Sequence, residues 1–354
     1  MNILIINHDV KQCGVYQYGK RVGNILEKSD KHNFVYLELN SYEQFDQSLK
    51  KYNPEFIIYN WTGGTLPWIT PDTVSNLRKQ NIHQFLLVHN ESNYSQFFDG
   101  YLHQHPYWPE GERDFAIARP LPFYNKKQNN KKDDIIRIGS FGFGLVNKYF
   151  HEVCRIVNEQ FYNQKVELRL HLTFGVFAGS NQNIDLVQQM CRQNINSPNI
   201  NLNITNDFID DEELLDFLGG NDLNIFFYQQ YPNYNGISSV IDYALAVQKP
   251  LAINKSSMYA HIMDAQPSIC VEDNSLQNII HNGFAPLQEK YDSWSNKNFI
   301  DTIKGFISFH KVPVSVEVIN TAQLKKMGMN LMVSVGNGSR PDYQSHFLII
   351  KYFP

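Results

Sequence analysis

The chain has 354 residues and a net charge of −4, and 42% of its residues are hydrophobic and 19% charged. This composition is that of an ordinary globular protein and excludes a disordered or fibrous chain. At roughly 150 residues per domain, the length predicts two domains. The charge balance argues against a broad nucleic-acid-binding surface, so no nucleic-acid partner is expected.

The amino terminus, MNILIIN, enters a strand pattern at once, without the basic segment and long apolar core of a signal peptide. No apolar run reaches the roughly 20 residues of a membrane-spanning helix. The four cysteines are far apart and form no C-x-x-C, so neither a zinc site nor a redox pair is predicted. We therefore expect a reduced, cytoplasmic protein without a transmembrane segment, and leave open its association with a membrane surface.

Short apolar runs alternate with helix-like segments through the first third of the chain. The predicted strands are 2–7, 33–39, 55–61, 84–91 and 114–122. The predicted helices are about 15–28, 41–51 and one that opens at Pro71, since proline is favoured in a first helical turn. Continuous apolar runs of this length are typical of strands buried on both faces, so this rhythm predicts βαβ units and a parallel sheet.

A second α/β series follows the polar segment NKKQNNKKDD. Its predicted strands are 135–141, 166–174, 200–205, 223–229, 250–254 and 268–272, and its predicted helices are 147–161, 210–218 and one from about 236. The predicted fold class is α/β, with two Rossmann-like domains facing each other across a cleft. The predicted boundaries are 1–124 for the first domain, 125–134 for a linker, 135–310 for the second domain and 311–354 for a C-terminal tail.

The strongest local signal is the stretch NGISSVIDYALA at 235–246. A loop follows a strand there, and a helix begins with small residues whose free backbone N–H groups can bind phosphate. Ser238 and Ser239 can add hydroxyl groups, and Asp242 lies where a carboxylate could reach ribose hydroxyls. The alternative is that Asn235 or Ser238 only caps the helix.

Residues 228–262 resemble the donor-binding region of GT-B glycosyltransferases, in particular the large retaining group with an E-x7-E motif. In that group a Gly-rich helix start holds the donor diphosphate and the second Glu holds the ribose. Asp242 occupies the position of the second Glu, whereas Tyr234 replaces the first. The resemblance extends as architecture over about residues 1–309 and implies that the second domain binds the donor.

Other stretches are similar to the same family. Gly14 lies in a glycine loop after the first strand, and Lys148 stands where a lysine meets the donor phosphates, although Gly144 replaces an arginine that is frequent there. Lys255 lies on a strand-to-helix turn that faces the donor in this fold. His89, at the end of the fourth strand, resembles the cleft histidine near the reacting carbon.

These observations define one predicted catalytic residue, His89, and a set of predicted donor-binding residues. The donor-binding set is Gly14, Lys148, Asn235, Gly236, Ile237, Ser238, Ser239, Asp242 and Lys255. No metal ligand and no cofactor are predicted. The histidines at 103 and 105 lack a matching acidic or cysteine pattern, and the absence of D-x-D argues against a metal-dependent glycosyltransferase of the other major fold.

The sequence also offers further candidate site residues, whose role could be structural or functional. His8 and Asp9 follow the first strand in a position like that of His89. Aromatic residues in loops suit carbohydrate stacking as well as ordinary packing; they are Tyr101, His103, His105, Tyr107, Trp108, Phe123 and Tyr124.

The tail after about residue 312 is similar to the segment of leucine aminopeptidases that precedes their metal-binding core. The similarity rests on Lys326-Met327-Gly328-Met329 and Val335-Gly336-Asn337-Gly338-Ser339. The metal ligands of that family would follow Pro354, so we expect no peptidase chemistry. Its residue pattern predicts a helix at 321–328 and two strand-like segments.

The sequence thus predicts a glycosyltransferase that moves a sugar from a nucleotide-sugar donor to a glycan, lipid-linked or protein acceptor. The resemblance implies retention of configuration and no metal. A nucleotide-sugar epimerase of the same fold and a non-catalytic nucleotide- or sugar-binding protein remain alternatives. A NAD-dependent dehydrogenase is less supported, because no G-x-G-x-x-G follows the first strand.

Overall fold

The structure, a computed structural model, describes residues 1–89, 97–109, 111–125, 133–176, 183–230, 236–311, 316–319 and 347–350. Met1–Ile303 form one compact unit, and Lys304–Pro354 form a second. Two parallel sheets lie in the first unit, which confirms the predicted α/β class. The part of the chain that carries the first sheet is called the first half below, and the part of this unit that carries the second sheet is called the second half.

Six parallel strands form the first sheet, in the order β2-β1-β3-β4-β5-β6. The strands are β1 (Asn2–Asn7), β2 (Asn33–Glu38), β3 (Phe56–Tyr59), β4 (His83–Val88), β5 (Gly100–His103) and β6 (Asp114–Ala116). Helices α1 (Gly14–Leu26), α2 (Tyr42–Tyr52) and α3 (Pro71–Arg78) connect the first four strands. Strand β5, with only four residues, was not predicted from the sequence.

Local sequence explains these elements. In β1 the run Ile3–Ile6 is fully buried, as expected for a parallel strand covered on both faces. The Ser41 side chain accepts a hydrogen bond from the Gln44 N–H and so caps α2, and Thr70 caps α3 in the same way, ahead of Pro71 in the first turn.

The second sheet has five parallel strands in the order β11-β10-β7-β8-β9. They are β7 (Ile136–Phe143), β8 (Val166–Thr173), β9 (Ile200–Thr205), β10 (Leu223–Phe226) and β11 (Leu251–Ile253). The helices after β7 are α4 (Phe150–Gln160), α5 (Ile184–Gln193), α6 (Asp211–Gly219), α7 (Val240–Ala246), α8 (Leu276–Asn282), α9 (Gln288–Ser293) and α10 (Asn296–Lys311).

Some predicted elements differ from the observed ones. The segment 268–272 is not a strand, since only Cys270 pairs with Ile253, through one isolated bridge. The helix predicted from 147 begins at Phe150, because a 3-10 turn at Val146–Lys148 ends in the left-handed conformation of Tyr149. The helix predicted from about 236 begins at Val240.

The second unit contains two described strands, β12 (Val316–Ile319) and β13 (Phe347–Ile350), which pair antiparallel. The helix predicted at 321–328 lies outside the described residues, as does most of the predicted linker 125–134, so the domain boundaries stay predictions. In the described part of the chain, no helix combines the length and apolar character that crossing a membrane requires.

Candidate functional site

A cavity of about 330 Å³ lies between the two sheets at the carboxyl ends of their strands, where ligands bind in open parallel sheets. From the first half, it is lined by Lys11, Gln12, Cys13, Gly14, Val15, Gln17, Tyr18, His89 and Gln104. From the second half come Phe141, Gly142, Phe143, Leu145, Lys148, His171, Thr173, Phe174, Phe208, Ile209, Asp211, Leu214, Tyr228, Ile237, Ser238, Ser239, Val240, Tyr243 and Met258.

Most of the predicted site residues meet in this cavity. Six of them line it: Gly14, His89, Lys148, Ile237, Ser238 and Ser239. Gly236 is buried next to them in the chain, and Asn235 lies outside the described residues. Asp242 and Lys255 are not among the lining residues.

Lys148 places a cation in the cavity without a carboxylate partner among the described residues. Its Nζ lies 4.1 Å from the centroid of the Tyr228 ring, a cation–π contact. Burial lowers the pKa of Lys148 to about 7. An anion that entered the cavity would favour the charged form of this lysine and would gain an ion pair.

The segment 236–240 brings backbone and hydroxyl groups to the same cavity. Ser239 is the N-cap residue of α7, but its side chain makes no capping hydrogen bond. The Ser238 N–H donates to the Met258 carbonyl at 3.0 Å. The first turn of the short helix α7 therefore lines the cavity together with the start of α1, which begins at Gly14.

Asp242 lies behind the cavity wall, fully buried, in an ionic cluster with two arginines of the first half. Arg119 binds it bidentately, with Nε 2.8 Å from Oδ1 and Nη2 2.5 Å from Oδ2. Arg21 Nη2 lies 3.0 Å from the same Oδ2. Because both carboxylate oxygens accept from arginine, this arrangement gives Asp242 a structural role and leaves ribose binding an untested prediction.

Lys255 also differs from its predicted placement. Its ammonium group is paired with the Asp273 carboxylate at the surface, and its backbone N–H donates to Glu272. The lysine therefore lies outside the cavity lining, because the acidic residues that follow β11 hold it there.

His89 lies beside the cavity as predicted, with both ring nitrogens in hydrogen bonds. Its Nε2 is 2.6 Å from Asn60 Oδ1, and its Nδ1 is 2.5 Å from Gln104 Nε2. Burial lowers the pKa of His89 to about 3, and the charges of Arg119 and His8 act in the same direction. The imidazole is therefore neutral near pH 7.

The sequence did not identify several residues that shape the cavity wall. Tyr18 and Tyr243 line the cavity, and the guanidinium carbons of Arg21 and Arg119 lie 5.7 and 5.0 Å from the centroid of the Tyr18 ring. One signal was present, since Arg119 interrupts the apolar run 114–122. A charge inside an apolar run indicates a buried partner.

Two positions, Gly144 and Tyr234, differ from the GT-B pattern that the sequence otherwise resembles. A Cβ atom added at Gly144 would lie 2.5 Å from Ile184 Cγ1, so the arginine that is frequent there would not fit without a shift. Tyr234, in the position of the first Glu, lies outside the described residues.

Several of the remaining candidates have structural partners. His103 stacks on Trp108 with ring centroids 4.6 Å apart and lies 2.7 Å from the Asp114 carboxylate. Asp9 accepts a hydrogen bond from Asn40, and His8 Nδ1 accepts one from the Val10 N–H. Within the described ranges, no three His, Cys, Asp or Glu side chains come together as a metal site.

Neither a protein-family model nor a curated protein matches the sequence. Solved structures do match the fold. HepE of Anabaena, solved with UDP-glucose, is 13% identical, with a TM-score of 0.57 over 87% of this chain and 100% of HepE. A glycosyltransferase of Rickettsia africae is 12% identical, with a TM-score of 0.58 over 88% of this chain and 97% of its own.

The lipopolysaccharide outer core galactosyltransferase WaaB, in its apo form, is 9% identical, with a TM-score of 0.55 over 88% of this chain and all of WaaB. These proteins are GT-B glycosyltransferases. With its two parallel sheets and the cavity between them, the chain has the GT-B glycosyltransferase fold.

Proposed function

We propose that this protein is a glycosyltransferase that takes a sugar from a nucleotide-sugar donor. The observation that carries the proposal is Lys148, a cation without a carboxylate partner among the described residues, in a cavity lined by both sheets of a GT-B fold. In such a cavity a lysine can offset the charge that develops on a leaving diphosphate.

A uridine diphosphate sugar is the first donor to test. HepE structures have been solved with UDP-glucose, with UDP, and with UDP and glucose. In this chain the donor diphosphate would lie between Lys148 and the segment 236–239. The exposed rings of Phe174 and Phe208 line the same cavity and offer apolar surface for the rest of the nucleotide.

The finer features of the reaction are part of the same proposal. Transfer retains the anomeric configuration and needs neither a metal nor a cofactor, as the E-x7-E resemblance implies. The acceptor is a glycan, a lipid-linked sugar or a protein. Proton NMR of the product anomer tests retention, and activity after treatment with a chelator tests metal independence.

The decisive experiment incubates the protein with a panel of nucleotide sugars and measures released nucleotide by mass spectrometry. We expect one uridine diphosphate sugar to release UDP by hydrolysis or transfer, and Lys148→Met to lose most of this activity. Lys255→Met is the matched control, since that lysine is in the same half but outside the cavity lining, and it should retain activity. An epimerised donor without free nucleotide would favour the epimerase.

A non-catalytic binding protein of the same fold is the second candidate. The observation in its favour is that both nitrogens of the cavity histidine, His89, are engaged by protein groups. This candidate predicts that UDP or a UDP-sugar raises the melting temperature while no donor of the panel releases nucleotide.

A further inference from the structure

A continuous chain of hydrogen bonds joins Asp242, on the donor-side helix α7, to His89 on the cavity. Asp242 binds Arg119, whose Nη1 lies 3.2 Å from Gln104 Oε1. Gln104 Nε2 reaches His89 Nδ1, and His89 Nε2 reaches Asn60 Oδ1. Five side chains from five different elements or loops thus form one path between the two halves.

The chemistry of arginine sets the direction of every bond in this path. A guanidinium only donates, so the oxygen of the Gln104 amide faces Arg119 and its NH₂ group faces the histidine. The NH₂ group donates to Nδ1 of His89, which must therefore be unprotonated. The single ring proton then lies on Nε2 and is donated to Asn60 Oδ1.

The next amides in the path have the matching orientation. Asn60 Nδ2 donates to Asn7 Oδ1 at 2.7 Å and to the Val15 carbonyl at 2.7 Å. Asn7 Nδ2 in turn donates to the Tyr16 carbonyl and to the Tyr36 hydroxyl. No bond in the path pairs two donors or two acceptors, so the network specifies one arrangement of its hydrogens.

The groups around His89 disfavour a charged ring. Arg119 and His8 are the charged or titratable groups that act on it, and the Tyr18 ring meets its edge at 5.4 Å between centroids. No carboxylate acts on the ring among the described residues. A proton on Nδ1 would meet the NH₂ group of Gln104, which cannot accept it.

We propose that Gln104 and Asn60 are positioning residues, which hold His89 as a neutral imidazole protonated at Nε2, and that Asp242 sets this arrangement through Arg119. As a statement about the reaction, this rests on the proposed function of the cavity. His89 then lies beside the nucleotide sugar as a fixed, neutral imidazole that neither gives nor takes a proton in the reaction. The same hydrogen-bond network fixes the position of His89 relative to α7.

The test is ¹⁵N NMR of the full chain labelled at its 12 histidines, with His89 assigned by the signal that His89→Gln removes. The proposal expects the pattern of a neutral ring protonated at Nε2, unchanged between pH 5.5 and 8. A free histidine would titrate within this window, because its pKa is roughly 6.5. A ring protonated at Nδ1, or one that titrates in this window, overturns the proposal.

Gln104→Glu tests the cause. A carboxylate beside Arg119 only accepts, so Nδ1 of His89 must gain a proton and the variant should show a doubly protonated ring at pH 7. Gln104→Met removes the hydrogen-bond donor to Nδ1, so the Nδ1 signal should shift, while Nε2 keeps its proton because Asn60 still accepts it. An unchanged His89 signal in both folded variants contradicts the role of Gln104, and the wild-type spectrum tests the proposal even where a variant does not fold.

Gln84→Met is the matched control, since this glutamine is buried in the same sheet and its side chain also makes two hydrogen bonds, with Tyr59 and the Val74 carbonyl. It should lower stability and leave the His89 signal unchanged. Once the nucleotide-sugar donor is identified, Gln104→Met should lower kcat about tenfold or more, with little change in the KM for that donor. Because NMR needs no donor, failure of the proposed function and failure of this inference remain distinguishable.

Discussion

At the scale of the residue, the chemistry of the cavity depends on how the protein treats its few charges. Lys148 has lost most of its contact with water, and the described residues supply no carboxylate to compensate. Asp242 has two arginine partners and lies behind the wall. Lys148 therefore lines the cavity, with Lys11 and Asp211, as a group whose protonation an anionic ligand can control.

The first prediction concerns the pH dependence of nucleotide binding. With a pKa of about 7 in the empty cavity, Lys148 loses its proton as the pH rises, whereas a bound diphosphate favours the protonated form. The Kd of UDP should thus rise between about pH 7.5 and 9, by up to tenfold per unit, while the phosphates stay fully ionised. Isothermal titration calorimetry in this window measures it.

Lys148→Met is the variant that isolates the effect. It should bind UDP more weakly at pH 7 and show no slope above that pH. Lys255→Met, on the surface, should keep the wild-type slope. A wild-type Kd that stays constant up to pH 9 would show that Lys148 does not bind the phosphates.

The second prediction concerns Asp242. Asp242→Asn leaves Arg21 and Arg119 buried without a counter-charge, which typically costs about 3–5 kcal/mol. Urea denaturation should show this loss in the free energy of unfolding, and Asp273→Asn, which breaks a surface pair, should stay close to wild type. If Asp242→Asn were as stable as wild type but raised the donor KM, the ribose role would be supported instead.

At the scale of the element, the close approach of α1 to the first sheet brings the cavity residues together. Gly19, on the buried face of α1, lies against the side chains of Asn60 and Asn7. The helix can therefore bring Gly14 and Tyr18 to the cavity only because position 19 has no side chain.

The third prediction follows from this contact. In Gly19→Ala, the added Cβ would overlap Asn60 and lie 2.8 Å from Asn7 Nδ2, so the overpacking should destabilise the protein by about 1–3 kcal/mol despite the better helix propensity of alanine. Gly14→Ala on the same helix is the control, because its nearest neighbour would be Phe143 at 4.0 Å. In thermal denaturation, Gly19→Ala should have a clearly lower melting temperature than Gly14→Ala. Equal melting temperatures would contradict the packing argument.

At the scale of the whole molecule, the cavity is built from two sheets that the buried ionic cluster and the His89 network connect. Among the described residues, a backbone hydrogen bond also joins the two halves, from the Val176 N–H to the carbonyl of Gln12, which lines the cavity, at 3.1 Å. A ligand in the cavity therefore contacts both halves and should stabilise them together.

The fourth prediction is that UDP stabilises the wild-type protein. At 100 times its Kd, a ligand that binds only the folded state adds about 2.7 kcal/mol. Differential scanning fluorimetry should show a higher melting temperature with millimolar UDP, with a smaller shift for Lys148→Met. Unchanged melting with UDP, GDP and ADP alike would argue strongly against a diphosphate site.

The fifth prediction concerns the second unit. A chain that ends after Lys311 keeps α10 whole and removes β12 and β13. We expect it to keep donor binding and any donor hydrolysis, because all of the described residues that line the cavity precede Ile303. Chelator-sensitive cleavage of peptides by the full chain would instead support the aminopeptidase resemblance.

Sequence patterns alone predicted the α/β class, most strands and helices, and the meeting of Lys148, His89 and the 236–239 segment near one cavity. Apolar runs, helix caps and strand ends are local features, and in a parallel sheet all carboxyl ends lie at one edge. The short strand β5 is an exception. It was not predicted, because its four residues, GYLH, are too few to show a periodic pattern.

The role of each polar group, in contrast, depends on its neighbours in the folded chain. Asp242 and Lys148 are both charges beside a predicted phosphate site, yet one is neutralised by arginines 123 and 221 positions away and the other faces the cavity. Lys255 finds Asp273 at the surface. The sequence could not distinguish these outcomes, because the partner of a charge depends on which distant elements the fold packs beside it, and in a buried site that partner decides its charge and its role.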